Sequence, residues 1–253
     1  MSNPKFASAY ADYQSKSSHA DNWKAAIDAT DLSTRPIAAQ LLEQMGLGAT
    51  RDKPFKLLDH ACGTGVVGHL LHASIAPEVL EQSSVLSADK APDMVELVKD
   101  RQAREGWINS EARVLDAQKT DLPDASFSHI TIGLALQITP EPQLVLKDCI
   151  RLLQPGGVVG LSTPTDVLGG HMRDLRAAFA SFPFDAPGAE FARLFSPFLP
   201  IILGGWWPEE TRKAHPLDEV LGLVAAFLDD KYEGRPWYSE YYALVASGRK
   251  KVE

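Results

Sequence analysis

The sequence predicts an α/β fold built on a doubly wound, mostly parallel sheet. Strand-like and helix-like segments alternate from Phe55 to about Thr163, a pattern that implies parallel strands joined by right-handed crossovers. Within that stretch the apolar run Leu57-Leu58 ends in Asp59 and passes into Gly63-Thr64-Gly65-Val66-Val67-Gly68, a glycine-rich turn opening a helix. Glycine allows backbone angles and a close ligand approach that a Cβ blocks, and the free N–H groups of the following helical turn face whatever sits there. Such a turn suits a nucleotide-like cofactor.

The elements follow in order. Strands are expected at Phe55 to Asp59, Ser84 to Ala88, Ala112 to Leu115, Phe127 to Gly133 and Gly157 to Ser162, with helices between them at Val66 to Ala73, Pro92 to Glu105 and Glu141 to Leu153. Ahead of this core, Trp23 to Met45 has apolar residues at three-to-four spacing, with Gly46 as its stop. Behind it the periodicity degrades. Five prolines and seven Phe or Trp residues between Ser181 and Pro208 predict short helices and loops forming a cap. A helix from Leu217 to Asp229 and a last strand at Tyr241 to Ala246 complete the reading.

Composition narrows the class of partner. The chain has 253 residues, 45% of them apolar, and a formal charge of -8, which argues against nucleic acid or an anionic membrane as its main partner. A small-molecule site or ordinary solubility charge both fit that balance. Cys62 and Cys149 are the only cysteines, in no CxxC pair and in no His/Cys cluster at zinc spacing, so neither a disulfide framework nor a bound metal is expected. The polar stretch Met1 to Asn22 lacks the apolar centre of a signal peptide, and the longest clean apolar run, Leu221 to Leu228, is too short to span a bilayer. These features predict a soluble cytoplasmic protein, monomeric or homodimeric, acting on a small-molecule substrate.

The turn alone leaves two cofactors open. Gly63 to Gly68 fits the dinucleotide fingerprint GxGxxG, and Asp89 ends the second strand where a ribose-binding acid belongs. Against a dinucleotide stand the polar pair Asp59-His60 at the first strand's exit, Asp116-Ala117 after the third strand, and a last strand at the C-terminus.

Four ordered pieces together resemble the class I S-adenosylmethionine-dependent methyltransferases, in particular their small-molecule branch. They are Leu58-Asp59-His60-Ala61-Cys62-Gly63-Thr64-Gly65; Ala88-Asp89-Lys90-Ala91-Pro92-Asp93-Met94; Asp116-Ala117 followed by Leu122-Pro123 and Phe127; and Arg151-Leu152-Leu153-Gln154-Pro155-Gly156-Gly157. The resemblance implies a Rossmann-like, doubly wound, mostly parallel seven-stranded sheet with an antiparallel C-terminal strand and a helical cap. It implies one domain over residues 1–253: a helical lid to 54, the cofactor core at 55–163, a cap and substrate region at 164–216, and a C-terminal helix and strand at 217–253. Two departures stand out. Ala61 replaces the first glycine of the fullest pattern, a sterically mild change, and Ser128-His129 stands where many members carry Asp after the Phe.

The resemblance also implies roles for S-adenosylmethionine. Asp59 would accept from the ammonium of its methionine end, while Ala61, Gly63 and Gly65 bring the backbone close. Asp89, acceptor-only when ionised, suits the two ribose hydroxyls. Lys90 and Met94 would flank the adenine, Asp116 would accept from its amino group, and the Ala117 N–H would donate to a ring nitrogen. Gly133 and Leu134 would line the site beside the sulfonium. Cys62 reads as a small packed residue and His129 as a hydrogen-bonded core histidine.

Candidate substrate residues fall outside the cofactor core. His171, shortly after the fifth strand, is either a general base or a plain loop residue. Tyr13 and Trp23, with Tyr10, either fold over the ligand or anchor a surface helix, and Trp206 belongs to an aromatic cluster that is either core or pocket. The expected activity is methyl transfer to a small, apolar metabolite. Two rivals remain at this stage: a binding protein of this fold with cyclase or regulatory work, and an NAD(P)-dependent oxidoreductase.

Overall fold

The computed structural model describes Asp31, residues 34–165, 177–183, 207–233, 235 and 243–252, and every structural statement below concerns these residues. They fall into two compact units. One holds Asp31, residues 34–163 and 243–252, and the other holds the described residues from Pro164 to 235.

The first unit is a six-stranded sheet. Its strands are β1 (Lys56–His60), β2 (Ser84–Asp89), β3 (Ser110–Val114), β4 (Phe127–Gly133), β5 (Leu153–Pro164) and β6 (Ala243–Arg249), in the order β3-β2-β1-β4-β5-β6. β1 pairs in parallel with β2 on one side and β4 on the other, β2 with β3, and β4 with β5. β6 runs the other way: Gly156 lies against Val252 and Gly248 against Val159, and Gly156 and Gly157 exchange backbone hydrogen bonds with Lys250. Where the resemblance implies seven strands, six are present among the described residues. The strand order reverses between β1 and β4, which opens a crevice beyond the carboxyl ends of these strands, the usual ligand position in sheets of this kind.

Helices cover both faces. α1 (residues 34–44) ends at Gly46, whose φ of 76° is a left-handed stop. α2 (Val66–Ser74), α3 (Pro77–Leu80), α4 (Pro92–Glu105) and α5 (Pro142–Leu152) follow in the crossovers. Pro92 and Pro142 each open their helix, where proline sacrifices no helical hydrogen bond, and Gly106 closes α4 at φ 64°. The period-two alternation of β1 sends Leu57 to one core, with Leu41, Leu42, Met45, Leu71 and Val158. Leu58 turns to the other, with Ile130, Ile132, Val145, Cys149 and Leu152. α5 supplies that second core from Val145, Cys149 and Leu152, one stripe of an amphipathic helix.

The departures from expectation have local causes. β5 begins at Leu153 instead of Gly157 because Leu153 already pairs with Phe127, after which the register shifts and resumes at His129–Val158. The last strand is described from Ala243 and runs to Arg249, past its expected end at Ala246, while Tyr241 and Tyr242 lie outside the described residues. In the second unit the expected helix from Leu217 continues to Tyr232, preceded by a short one at Glu209–Ala214. Phe179 and Trp207 are buried there with ring centroids 5.9 Å apart, so these two members of the aromatic cluster are core. No helix among the described residues is long and apolar enough to cross a membrane.

Candidate active site

The glycine-rich turn lies at the carboxyl end of β1, beside the reversal of strand order. Gly63 and Gly65 have φ of 52° and 80°, the left-handed region that glycine enters without strain. A Cβ at Gly65 would press on Val98 and Trp107, whereas one at Gly63 would meet nothing within 4 Å, so open space lies beside Gly63. Ala61 also sits at φ 52°. The replacement of glycine there is therefore not mild; an L-residue held in this region costs about 1 kcal/mol.

Asp59 is buried at 2% exposure and lies in register with Ser87 of β2 and Thr131 of β4. Thr131 Oγ1 donates to Asp59 Oδ1 at 2.7 Å, while Asp59 Oδ2 and Ser87 Oγ are buried with no hydrogen-bond partner. Burial pushes the Asp59 carboxyl up to about 7, the Thr131 hydrogen bond opposes this, and the charge of Asp89 adds to it. The next side chain, His60, turns to the opposite face, where burial lowers it to about 4 and keeps it neutral.

Asp89, the last residue of β2, accepts the Gly63 N–H at 2.9 Å on Oδ2 and the Ala91 N–H at 2.9 Å on Oδ1. It thus ties the turn to the start of α4 as a strand-end cap does, and each oxygen retains a second lone pair. Burial raises its carboxyl above the usual range, against the lowering effect of these N–H donors. Cys62, fixed by its own N–H to the Ala88 carbonyl, is buried, and its thiol is raised well above the ordinary value, which disfavours a nucleophilic thiolate.

Beyond β3, Asp116 accepts from the Gln118 N–H at 3.0 Å and pairs with Lys90 Nζ at 3.0 Å. These donors, with the Gln118 side chain, outweigh desolvation and hold its carboxyl below the ordinary value. Gln118 in turn accepts the Glu141 N–H, fastening Asp116-Ala117 to the start of α5. Met94 lies half-buried in the first turn of α4. Gly133 ends β4, and Leu134 turns away at φ 51° with its N–H on Ser162.

The model of a family described as a methyltransferase domain matches residues 51–190, more than half of the chain. The chain belongs to this methyltransferase family. Methyltransferase tpcH of Aspergillus fumigatus is 28% identical, the match covering 84% of this chain and 91% of that protein. An acetylaranotin bis-thiomethyltransferase of Aspergillus terreus is 26% identical, covering 80% and 84%. Among solved structures, the [4+2]-cyclase SpnF shares the fold with a TM-score of 0.52 and 20% identity over 87% of this chain and 81% of that one.

The protein is thus a class I methyltransferase with S-adenosylmethionine as its cofactor, which decides the choice that GxGxxG left open. The residues present fit that molecule. An orphaned carboxylate oxygen on Asp59 suits an ammonium, the spare lone pairs of Asp89 suit hydroxyls, and the gap beside Gly63 admits a ligand against the backbone. The fold brings Asp59, Ala61, Gly63, Gly65, Asp89, Lys90, Met94, Asp116, Ala117, Gly133 and Leu134 to the carboxyl edge of β1, β2, β3 and β4 and the loops that leave it. His171, Tyr13, Trp23 and Trp206 lie outside the described residues.

Sequence reasoning missed the residues that hold the methyltransferase site in shape. Thr131 and Ser162 are buried hydroxyls beside the apolar residues Ile130, Ile132 and Leu161, and that contrast was the available signal. Arg101 donates to the Thr64 carbonyl at 3.0 Å from inside α4, a contact with no sequence signal beyond a charge on the helix face.

Proposed function

We propose that this methyltransferase acts on a small, apolar molecule carrying an oxygen, nitrogen, sulfur or carbon nucleophile. The observation that carries the cofactor site beneath this reading is an orphaned, buried Asp59 oxygen together with an Asp89 carboxylate already holding the turn, both near the carboxyl ends of the paired strands β1 and β2. The similarity to a relative named acetylaranotin bis-thiomethyltransferase supports a small-molecule acceptor.

Asp59 takes the ammonium and Asp89 the two ribose hydroxyls. Lys90 and Met94 flank the adenine, the latter with a polarizable thioether, and Asp116 and the Ala117 N–H read its edge. Ala61, Gly63 and Gly65 bring backbone against the methionine end, and Gly133 and Leu134 wall the site near the reacting methyl. When bound, the cofactor supplies a methyl group already activated by its sulfonium. The protein therefore has to align the acceptor in line and exclude water, with a base required only where the acceptor must lose a proton. We assign that base, where one is needed, to His171, and the substrate-facing aromatics to Tyr13, Trp23 and Trp206.

The test is incubation with methyl-labelled S-adenosylmethionine and a panel of apolar thiols, phenols and amines, followed by mass spectrometry. Labelled product together with S-adenosylhomocysteine is the expected result. Tight cofactor binding with no turnover on any acceptor class would instead favour non-methylating work on the same fold. His171→Ala should lower turnover more than cofactor affinity, and equal activity would remove His171 as a base.

A further inference from the structure

At the opposite edge of the sheet, by the amino ends of β4 and the regular part of β5, lies a cleft of about 350 Å³ that methyl transfer does not use. It is lined by Arg51, Ser128, His129, Gly156, Gly157 and Arg249, among others. In a chain of net charge -8, both of its guanidinium groups lack a carboxylate: neither Arg51 nor Arg249 forms an ion pair among the described residues. Arg51 is held by backbone instead, donating to the carbonyls of Lys53, Gly46 and Pro54 at 2.6, 3.4 and 3.2 Å. Arg249 is held by the Gly156 carbonyl at 2.8 Å. Five N–H donors per guanidinium leave each with directions unspent.

The charges converge. Buried His129 is lowered to about 4, first by desolvation and then by the positive charges of Arg51 and Arg249, so both guanidinium groups lie within electrostatic reach of one ring on the cleft wall. Ser128, on the same wall, brings no charge: its hydroxyl is used locally, accepting the Lys56 N–H at 2.8 Å and contacting His129 Nδ1 at 2.8 Å. The cleft thus holds two cations and no carboxylate among its lining residues.

We propose that this cleft binds a phosphoryl group, free or as a monoester of a small molecule, between Arg51 and Arg249. Two guanidinium forks match a dianionic tetrahedral oxyanion in charge and in donor geometry. The volume accommodates a small metabolite.

Calorimetric titration of the whole protein with inorganic phosphate, in a phosphate- and sulfate-free buffer, tests the assignment. Saturable binding with Kd near or below about 1 mM is expected, weakened about tenfold or more by Arg249→Gln and again by Arg51→Gln. Because Arg51 also fastens its own loop, Ser128→Asp supplies the second arm. It keeps both arginines, places a carboxylate on the cleft wall and should abolish phosphate binding, while affinity for S-adenosylhomocysteine at the far edge of the sheet stays unchanged. A parallel titration with glycerol phosphate separates the two sources: tighter binding than phosphate assigns the site to a monoester, equal binding to the free ion. Absence of saturable binding of either, or binding that survives Ser128→Asp, overturns the proposal.

Discussion

Asp31 and Arg101, brought together from α4 and the segment that leads into α1, form an ion pair at 2.8 Å in which the two side chains are 8% and 3% exposed. Arg101 also donates to the Thr64 carbonyl at 3.0 Å, and Thr64 Oγ1 reaches Asp31 Oδ1 at 3.4 Å. The pair therefore clamps the cofactor turn from behind. Removing Arg101 leaves buried Asp31 with only the half-exposed Arg35, 3.1 Å away, as its cation, so Arg101→Met should destabilise the protein by about 2 kcal/mol. In denaturant titrations, a loss below about 1 kcal/mol would show that water reaches the pair and that the clamp is weak.

Asp89 accepts the Gly63 and Ala91 N–H groups, and the Lys90 N–H also lowers its carboxyl, so truncation removes a cap and, on the proposed role, a hydroxyl acceptor. Asp89→Ala should weaken S-adenosylhomocysteine binding by more than about tenfold while the chain stays folded. Asp89→Asn keeps one acceptor oxygen and should fall between. Calorimetric titration of both variants is the check, and parental affinity in Asp89→Ala would refute the ribose assignment.

The parts of this site that were legible in the sequence are those whose chemistry is local. Asp59, Asp89 and Asp116 each follow a short β-like run, and glycine at 63 and 65 announces a left-handed backbone within three residues. What stayed hidden depends on register. Thr131 meets Asp59 only because β4 pairs with β1 residue for residue, and a shift by one position would send it to the other face. The strain at Ala61 was equally invisible, since nothing in an alanine reports its φ. Asp31 and Arg101 were missed for a third reason: a charge on an amphipathic helix is normally solvated, and only tertiary packing makes this one an exception.

Gly68 completes GxGxxG, yet it lies inside α2 and serves packing. A Cβ there would fall on the Trp107 ring, 2.8 Å from Cη2, and the ring is pinned by its stack on His72 and by its N–H on Glu105. Gly68→Ala should therefore destabilise the protein by about 1–2 kcal/mol, the strain of overpacking exceeding alanine's better helix propensity. Thermal unfolding measures the loss. Cofactor affinity below the melting range should match the parent, and a selective loss of affinity would place Gly68 in the binding surface instead.

On its proposed role as the ammonium acceptor, Asp59 should make cofactor affinity depend on pH. Its carboxyl, raised by burial to about 7 in the folded chain, is ordinary once unfolded, so the native state holds the extra proton between those two values. Native stability from this group is then fully present below the unfolded pKa, falls as pH climbs to about 7 and levels off above it, a penalty on the order of 4 kcal/mol once Asp59 is ionised in both states. An ammonium placed on its orphaned Oδ2 reverses the balance by favouring the carboxylate. Binding of S-adenosylhomocysteine should accordingly release a proton near pH 6.5 and tighten by about tenfold from pH 6 to pH 8. Asp59→Asn, which can still accept from Thr131, should abolish both the proton release and the pH slope, and should melt no lower than the parent at pH 8. Calorimetry in buffers of different ionisation enthalpy reads the proton directly, and an unchanged slope in Asp59→Asn would locate the titrating group elsewhere.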